Sequence, residues 1–281
     1  METNEKFENL KSIIKSYAGL AVAFSGGVDS SFLLKVTHDV LGERVIAITA
    51  RPSFFTEKEQ EEAENFCKAE NITHIFCDTD ELSIEGVAKN RPDRCYLCKN
   101  EILTKIKQAA APYNPAYIAD GSNFDDDADY RPGFLAVLEH GIKSPLREVG
   151  LTKAEIRSLS KQLGLPTWDK KYRSCLASRF PYGEVITKQK LAMVEKAEEL
   201  LFDLGFSQLR VRIHGTVARI EIEPAEFSKI TKPEISQLIY NAFKEYGFGY
   251  TALDLCGYRT GSMNEMIKIK KNCCKNIKYD I

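Results

Sequence analysis

Residues 19–30 read Gly-Leu-Ala-Val-Ala-Phe-Ser-Gly-Gly-Val-Asp-Ser. The run at 19–24 is apolar without a break, which suits a strand buried on both faces. Ser25-Gly26-Gly27-Val28-Asp29-Ser30 follows at once. From 30 to 41 the apolar residues fall at helical spacing. A strand that turns through glycines into a helix offers free backbone N–H groups and the positive end of the helix dipole to an anion. Glycine lets the backbone approach that anion closely. Ser25, Ser30 and Ser31 add hydroxyl donors. Asp29 would repel a phosphate unless a cation stands between them, so Mg2+ is expected as its partner. A Walker loop would carry a lysine after its last glycine, and this loop does not. Ser25, Gly26, Gly27, Asp29 and Ser30 are therefore read as residues that bind the phosphates of ATP.

Outward from the loop, short apolar runs alternate with amphipathic stretches. The pattern predicts strands over 44–50, 72–77 and 116–120, and helices over 56–70 and 96–110. Such alternation predicts an α/β fold, with a doubly wound, mostly parallel sheet and right-handed crossovers. The segment from Asp120 to Asp127 (Asp-Gly-Ser-Asn-Phe-Asp-Asp-Asp) closes the fourth strand, at the sheet edge where ligands of open α/β sheets bind. Its carboxylates, Asp120 first, are candidates to hold Mg2+ beside ATP. Arg131, in Asp129-Tyr130-Arg131-Pro132-Gly133, is placed to reach phosphate. Residues 174–187 break the rhythm and predict a domain boundary, with a nucleotide domain over 1–173. A smaller C-terminal α+β domain is expected over 174–267, followed by a basic tail at 268–281. Within it the pattern predicts a helix over 187–204, strands over 209–213 and 217–222 joined by a hairpin turn, a helix over 233–246, and a strand over 250–255.

The chain has 281 residues, 43% hydrophobic and 28% charged, with a net charge of −1. Those proportions are ordinary for a globular protein. The near-neutral charge gives no electrostatic reason to expect nucleic acid or a membrane surface as partner. The first residues are polar with no apolar core, and no apolar run approaches membrane-spanning length, so a cytoplasmic location is expected. There the eight cysteines are expected to be reduced or metal-bound. The four histidines fall into no motif.

Cys95-Tyr96-Leu97-Cys98 is a C-x-x-C pair, and Cys175 stands far downstream in Ser174-Cys175-Leu176-Ala177-Ser178-Arg179-Phe180. A C-x-x-C pair alone is open between redox, zinc and cluster roles. Structural zinc takes four ligands, one more than these three thiols. Three thiolates can hold three irons of a 4Fe–4S cluster and leave the fourth open to carry a deliverable sulfide. A zinc site remains open, as do free thiols with Cys175 acting as nucleophile or sulfur donor. Cys67, Cys77 and Cys256 are expected in the core, and Cys273-Cys274 in an exposed tail. Arg210 and Arg212 lie two apart on one strand face, where they repel each other unless an anion lies between them.

The loop resembles that of the N-type ATP pyrophosphatases, the PP-loop superfamily that includes GMP synthetase, NAD synthetase and tRNA thiolation enzymes. The fuller set of motifs resembles the LarE family of ATP-dependent sulfur transferases, which act in nickel-pincer nucleotide synthesis. That likeness runs through Asp129–Gly133, Ser178-Arg179-Phe180-Pro181-Tyr182-Gly183, Arg210–His214, Ala218–Ile222 and Asp254–Gly261. It implies adenylation of a pyridinium dicarboxylate mononucleotide, release of AMP and pyrophosphate, and insertion of sulfur to give a thiocarboxylate. It also implies Cys175 as the cysteine of the reaction and Lys99 as a cation near the adenylate. Arg210, Arg212 and Arg259 would form the substrate-phosphate site, and Glu198 and Glu221 would serve a nearby divalent ion. Cys95 and Cys98 beside Cys175 match the three-cysteine, 4Fe–4S branch, whose sulfide source the motifs do not identify. A homo-oligomer, with a hexamer as one form, is implied too. A tRNA thiolation enzyme shares the loop and the cysteines, a nucleotide sensor would need no three-thiol set, and an ammonia-using amidotransferase would need none of the cysteines.

Overall fold

The computed structural model describes residues 2–52, 57–128, 133–170, 175–259 and 262. Two compact units are resolved, one of residues 1–87 and 93–173 and one of residues 88–92 and 174–281.

In the first unit the order is α1 (Thr3–Lys15), β1 (Leu20–Ala23), α2 (Val28–Leu41), β2 (Val45–Arg51), α3 (Glu57–Ala69) and β3 (Thr73–Asp78). There follow α4 (Glu85–Ala88), α5 (Arg94–Ala110), β4 (Tyr117–Ala119), α6 (Gly133–Glu139), α7 (Pro145–Glu148) and α8 (Lys153–Gln162). The strands form a parallel sheet in the order β3-β2-β1-β4. Side chains of a strand alternate between faces. Accordingly Leu20 and Val22 pack with Phe32, Leu34 and Ile156 on one side. Ala21 packs with Leu103, Ile106 and Val137 on the other. Both faces are covered by helices, which is the doubly wound α/β arrangement the sequence predicts.

The strand order locates the site. The chain runs from β1 outward through β2 to β3, then returns to place β4 on the other side of β1. The order reverses between β1 and β4, and open α/β sheets bind ligands at such a reversal. The glycine loop after β1 and the Asp120 segment after β4 both leave the sheet there.

The second unit contains α9 (Lys188–Asp203), β5 (Leu209–His214), β6 (Val217–Ile222), α10 (Phe227–Ile230), α11 (Pro233–Tyr246) and β7 (Tyr250–Leu253). β5 and β6 are antiparallel, with His214 opposite Val217 across a two-residue turn. Gly215 takes φ 60° in that turn, a region where only glycine is unstrained. β7 adds to β6 in parallel. Residues 88–92 join this unit through the buried Asn90, whose Nδ2 donates to the carbonyls of Phe180 (3.1 Å) and Pro181 (2.7 Å).

Cys256 is not a core thiol as predicted: it is exposed, next to Leu255 at 86% exposure. The Asp254 carboxylate accepts the Cys256 N–H at 2.8 Å, an Asx turn that ends β7 and swings the next residues outward. Cys67 is buried, as expected. Cys273 and Cys274 lie outside the described residues, as does Arg131 with most of its motif. Among the described residues no helix is long and apolar enough to cross a membrane.

Candidate functional site

In the first unit the site begins where β1 ends. Gly26 takes φ 68°, so the turn needs a residue without a Cβ penalty. Gly27 is the N-cap residue of α2. Two serines brace the turn from inside. Ser25 Oγ and Ser30 Oγ lie 3.0 Å apart, and Ser30 Oγ donates to the Gly27 carbonyl at 3.2 Å. The first N–H groups of α2 therefore face outward from a fixed loop, where an anion is favoured.

Asp29 occupies the first turn of α2. Its Oδ2 accepts from Lys153 Nζ, and its Oδ1 is buried without a hydrogen-bond partner. Burial raises the Asp29 carboxyl above the usual carboxylate range, and the neighbouring Lys153 charge pulls it back down. Lys153 is the first residue of α8. Thr152 caps that helix through a reciprocal capping box with Glu155. A second lysine reaches the loop from the same end of the unit: Lys170 Nζ donates to the Gly26 carbonyl at 2.9 Å and pairs with Glu62 at 2.6 Å. Arg157, from α8, donates to the carbonyls of Trp168 and Lys170, each at 2.7 Å, and so fixes the segment that carries Lys170.

Asp120 lies against this loop. Gly121 packs so tightly that a Cβ on it would stand 2.9 Å from Ser30 N. The buried Asp120 carboxylate accepts from Ser122 Oγ (2.8 Å) and Ser144 Oγ (2.8 Å), and Lys99 Nζ stands 3.8 Å away. Two of the following acids accept from backbone donors. Asp126 accepts from Asn123 N (3.0 Å) and Asp125 from Lys153 N (2.8 Å). Within the acidic segment, predicted as a cation holder, Asp125 and Asp126 cap local N–H groups, because short carboxylates compete well for free N–H groups.

Lys99 shares α5 with Cys95 and Cys98, which are one helical turn apart and on one face. Cys95 is exposed and Cys98 half-buried. Arg94 Nη2 lies 3.6 Å from Cys95 Sγ.

The second unit gathers the remaining predicted residues around two buried ion pairs. Cys175, half-buried, precedes a 3-10 turn over Leu176–Arg179. Arg179, 2% exposed, forms a two-pronged pair with Glu198, Nε to Oε1 at 2.8 Å and Nη2 to Oε2 at 2.7 Å. Its third nitrogen donates to the Cys175 carbonyl at 3.3 Å. The Arg179 guanidinium therefore ties the cysteine's backbone to α9. Burial opposes both charges, yet each partner keeps the other ionised: the Glu198 carboxyl is held low and the Arg179 guanidinium high.

Arg212 pairs with Glu221 Oε2 (3.1 and 2.9 Å) and donates to the Ser178 carbonyl (2.8 Å). The other oxygen of Glu221 accepts from Arg219 and Ser262. Arg219 and Arg259 both reach Asp254. Arg210 donates to the Leu209 carbonyl at 2.6 Å and stacks on Tyr258 at 5.3 Å. Burial, and then the nearby Arg179 charge, depress the Arg210 guanidinium. Five guanidinium groups thus share this network with the three carboxylates of Glu198, Glu221 and Asp254. A surplus of buried positive charge favours an anionic ligand. Glu198 and Glu221, predicted beside a divalent ion, serve here as counterions of Arg179 and Arg212. Among the described residues, no three His, Cys, Asp or Glu side chains are gathered to hold a metal ion.

Sequence reasoning missed Lys153, Lys170, Arg179 as an ion-pair partner, and Arg219. The capping box at Thr152–Glu155 marked the start of α8, but nothing local indicates that Lys153 meets Asp29.

No protein-family model matches the chain. It is 40% identical over 262 residues to an uncharacterized protein of Synechocystis, covering 93% of this chain and 98% of that one. It is 35% identical over 263 residues to the pyridinium-3,5-bisthiocarboxylic acid mononucleotide synthase of Lactiplantibacillus plantarum, covering 93% of this chain and 95% of the synthase. A more distant likeness, 28% identity over 216 residues, links it to the glutamine-hydrolyzing GMP synthase of Pyrobaculum aerophilum, of which it covers 42%. With near-complete coverage of the synthase and a glycine loop seated at the reversal of a parallel sheet, the chain belongs to the LarE family of sulfur transferases, built on the PP-loop fold.

Proposed function

We propose that the chain converts a carboxylate of pyridinium-3,5-biscarboxylic acid mononucleotide into a thiocarboxylate, consuming ATP. The observation that carries this reading is the likeness to the synthase over 93% of the chain. That relative's product differs from the proposed substrate only by sulfur in place of carboxylate oxygen, so the reaction is an exchange of one for the other. A carboxylate oxygen is a poor leaving group, and esterification to AMP makes it a good one. The substrate carboxylate attacks the α-phosphate of ATP; its oxygen forms the new P–O bond and pyrophosphate departs. A sulfur nucleophile then adds to the acyl carbon and AMP leaves with the former carboxylate oxygen.

The loop Ser25–Ser30 binds the polyphosphate, with backbone N–H groups aimed at charge that grows in the transition state. Lys99, held near Asp120, supports the adenylate. The arginine network of Arg210, Arg212 and Arg259 binds the phosphate of the substrate. The partnerless, buried Oδ1 of Asp29 suits a Mg2+ ion, which would neutralise the triphosphate there. Cys175, whose carbonyl is fixed by Arg179, serves the sulfur-transfer step. The donors Cys95, Cys98 and Cys175 are chemically those of a 4Fe–4S cluster, which would supply a renewable sulfide. A second reading is direct surrender of sulfur by Cys175, whose backbone Arg179 holds: the thiolate would displace AMP to form a thioester, and elimination across Cα–Cβ would release the thiocarboxylate and leave dehydroalanine.

The test is an anaerobic incubation with ATP and the biscarboxylate mononucleotide. AMP and pyrophosphate should appear in equal amounts, with a thiocarboxylate product identified by mass. ADP as product, or AMP formation indifferent to the carboxylate, would refute the proposal. Iron and acid-labile sulfide in the protein, with Cys175 intact after turnover, would select the cluster reading; dehydroalanine at 175 would select surrender.

Gly121→Ala should weaken ATP binding by about 5- to 150-fold, because the added methyl must push Ser30 and the loop aside, at a cost of about 1–3 kcal/mol. Calorimetric titration with ATP checks this, and an unchanged dissociation constant would contradict the close packing.

A further inference from the structure

We propose that His74 is a positioning residue for the glycine loop: it fixes the Thr49 hydroxyl, Thr49 fixes the Phe24 carbonyl, and that carbonyl sets the loop's hold on the phosphates of ATP. The inference rests on the reading of Ser25–Ser30 as the ATP loop.

Three observations carry it. First, the contacts form a directed chain. Thr49 Oγ1, in β2, donates to the Phe24 carbonyl at 2.7 Å. A hydroxyl has one hydrogen, and this bond uses it. His74 Nε2, in β3, lies 2.7 Å from the same hydroxyl oxygen. There the hydroxyl can only accept, so the ring carries its proton on Nε2 and donates it. Hydrogen bonds linked in this way polarise and strengthen one another. Second, the chain continues into the loop. Phe24 follows β1, and its N–H donates to the Ile48 carbonyl at 2.9 Å. The Phe24 carbonyl shares one planar peptide with the Ser25 N–H, and the two point in opposite directions. That N–H donates to Ser30 Oγ at 3.3 Å, and Ser30 Oγ donates to the Gly27 carbonyl at 3.2 Å. Holding one carbonyl therefore holds the turn as far as the N-cap of α2.

Third, the surroundings suit any aromatic ring, but only an imidazole supplies the donor. The His74 ring centroid lies 4.3 Å from that of Phe76 and 5.9 Å from that of Phe24, and Phe66 stands 5.5 Å from Phe24. Burial pushes His74 down to about 4, against the pull of the Glu64 charge on α3. The ring is therefore neutral at neutral pH and carries a single N–H. Its Nδ1 is buried with no hydrogen-bond partner. An unsatisfied buried acceptor costs stability. A phenylalanine would fill the same space without that cost, but would leave the Thr49 hydroxyl without the donor that orients it.

The test uses the full-length protein and calorimetric titration with ATP and Mg2+. Losing one hydrogen bond of the chain corresponds to a weakening of about 3- to 10-fold. His74→Phe should show that loss, with an unfolding midpoint within a few degrees of wild type. His74→Gln, whose side-chain amide keeps a donor, should bind ATP within about twofold of wild type. Thr49→Val cuts the chain nearer the loop and should weaken binding at least as much as His74→Phe. The double variant Thr49→Val/His74→Phe should match Thr49→Val within about twofold, since two cuts in one chain do not add. Wild-type affinity in His74→Phe would overturn the proposal, as would a His74→Gln as weak as His74→Phe. So would a double variant weakened by the product of the two single factors, the mark of two independent defects. The nitrogen-15 spectrum of the wild-type imidazole needs no variant: the Nε2–H tautomer is expected at neutral pH, and the Nδ1–H tautomer would overturn the inference. A wild type that does not bind ATP would instead remove the loop reading, and this inference with it.

Discussion

Cys175→Ala is expected to lower thiocarboxylate formation at least about 10³-fold, the scale seen when a reacting group is deleted from an enzyme. Adenylation should survive, because the ATP loop and Lys99 belong to the first unit and Cys175 to the second. The variant should therefore still catalyse carboxylate-dependent exchange of labelled pyrophosphate into ATP, within a few-fold of wild type. Its product would stay at the acyl-adenylate or return to the carboxylate by hydrolysis. Single-turnover mass analysis separates the two steps. Thiocarboxylate at wild-type rate from the variant would mean that this residue takes no part in sulfur transfer, as donor or as ligand.

The second large effect concerns the buried pair beneath that cysteine. Glu198→Ala leaves the Arg179 guanidinium, 2% exposed, without its carboxylate. Breaking a buried pair by removing one partner costs about 3–5 kcal/mol, since the remaining charge stays out of water. A fall of roughly 10 °C in the unfolding midpoint is expected. The pH dependence has a defined sign. Folding lowers the Glu198 carboxyl below its ordinary range, so its contribution is present above the unfolded value and is lost as pH falls through the folded one. The gap between wild type and variant should thus narrow in acid. Sulfur transfer should suffer as well, because Arg179 also holds the Cys175 carbonyl. A variant of unchanged midpoint would show that Arg179 finds another partner.

The parts of the fold carried by local pattern could be read from the chain. The uninterrupted apolar run before Ser25, the glycines and the helical spacing after Ser30 named a strand, a loop and a helix, and the structure has β1, loop and α2 there. Alternating runs implied helices on both faces of a parallel sheet, and the packing of Leu20 and Ala21 on opposite sides shows them. What local pattern lacks is partnership across the chain. Lys153 meets Asp29 across 124 residues, and Lys170 meets Gly26 across 144. No periodicity encodes such pairs. Counting charge in the acidic run also misses its backbone donors, since Asp125 and Asp126 each accept an N–H. Arg210 and Arg212 were correctly put on one strand, but their partners differ. One stacks on Tyr258 and the other binds Glu221, contacts that depend on how β5, β6 and the segment after β7 assemble. Cys256 was misread because Leu255 beside it looked like strand continuation, whereas the Asp254 side chain turns the backbone out.

The account depends on sulfur displacing AMP from a mixed anhydride of the substrate, so the fate of the carboxylate oxygen is the most direct measurement. Substrate labelled with oxygen-18 in its carboxylates should be turned over in unlabelled water, and the AMP released should be weighed by mass spectrometry. One labelled oxygen in each AMP is the predicted result. Unlabelled AMP accompanying thiocarboxylate would show that the carboxylate was never joined to the α-phosphate, and would contradict the mechanism at its first step.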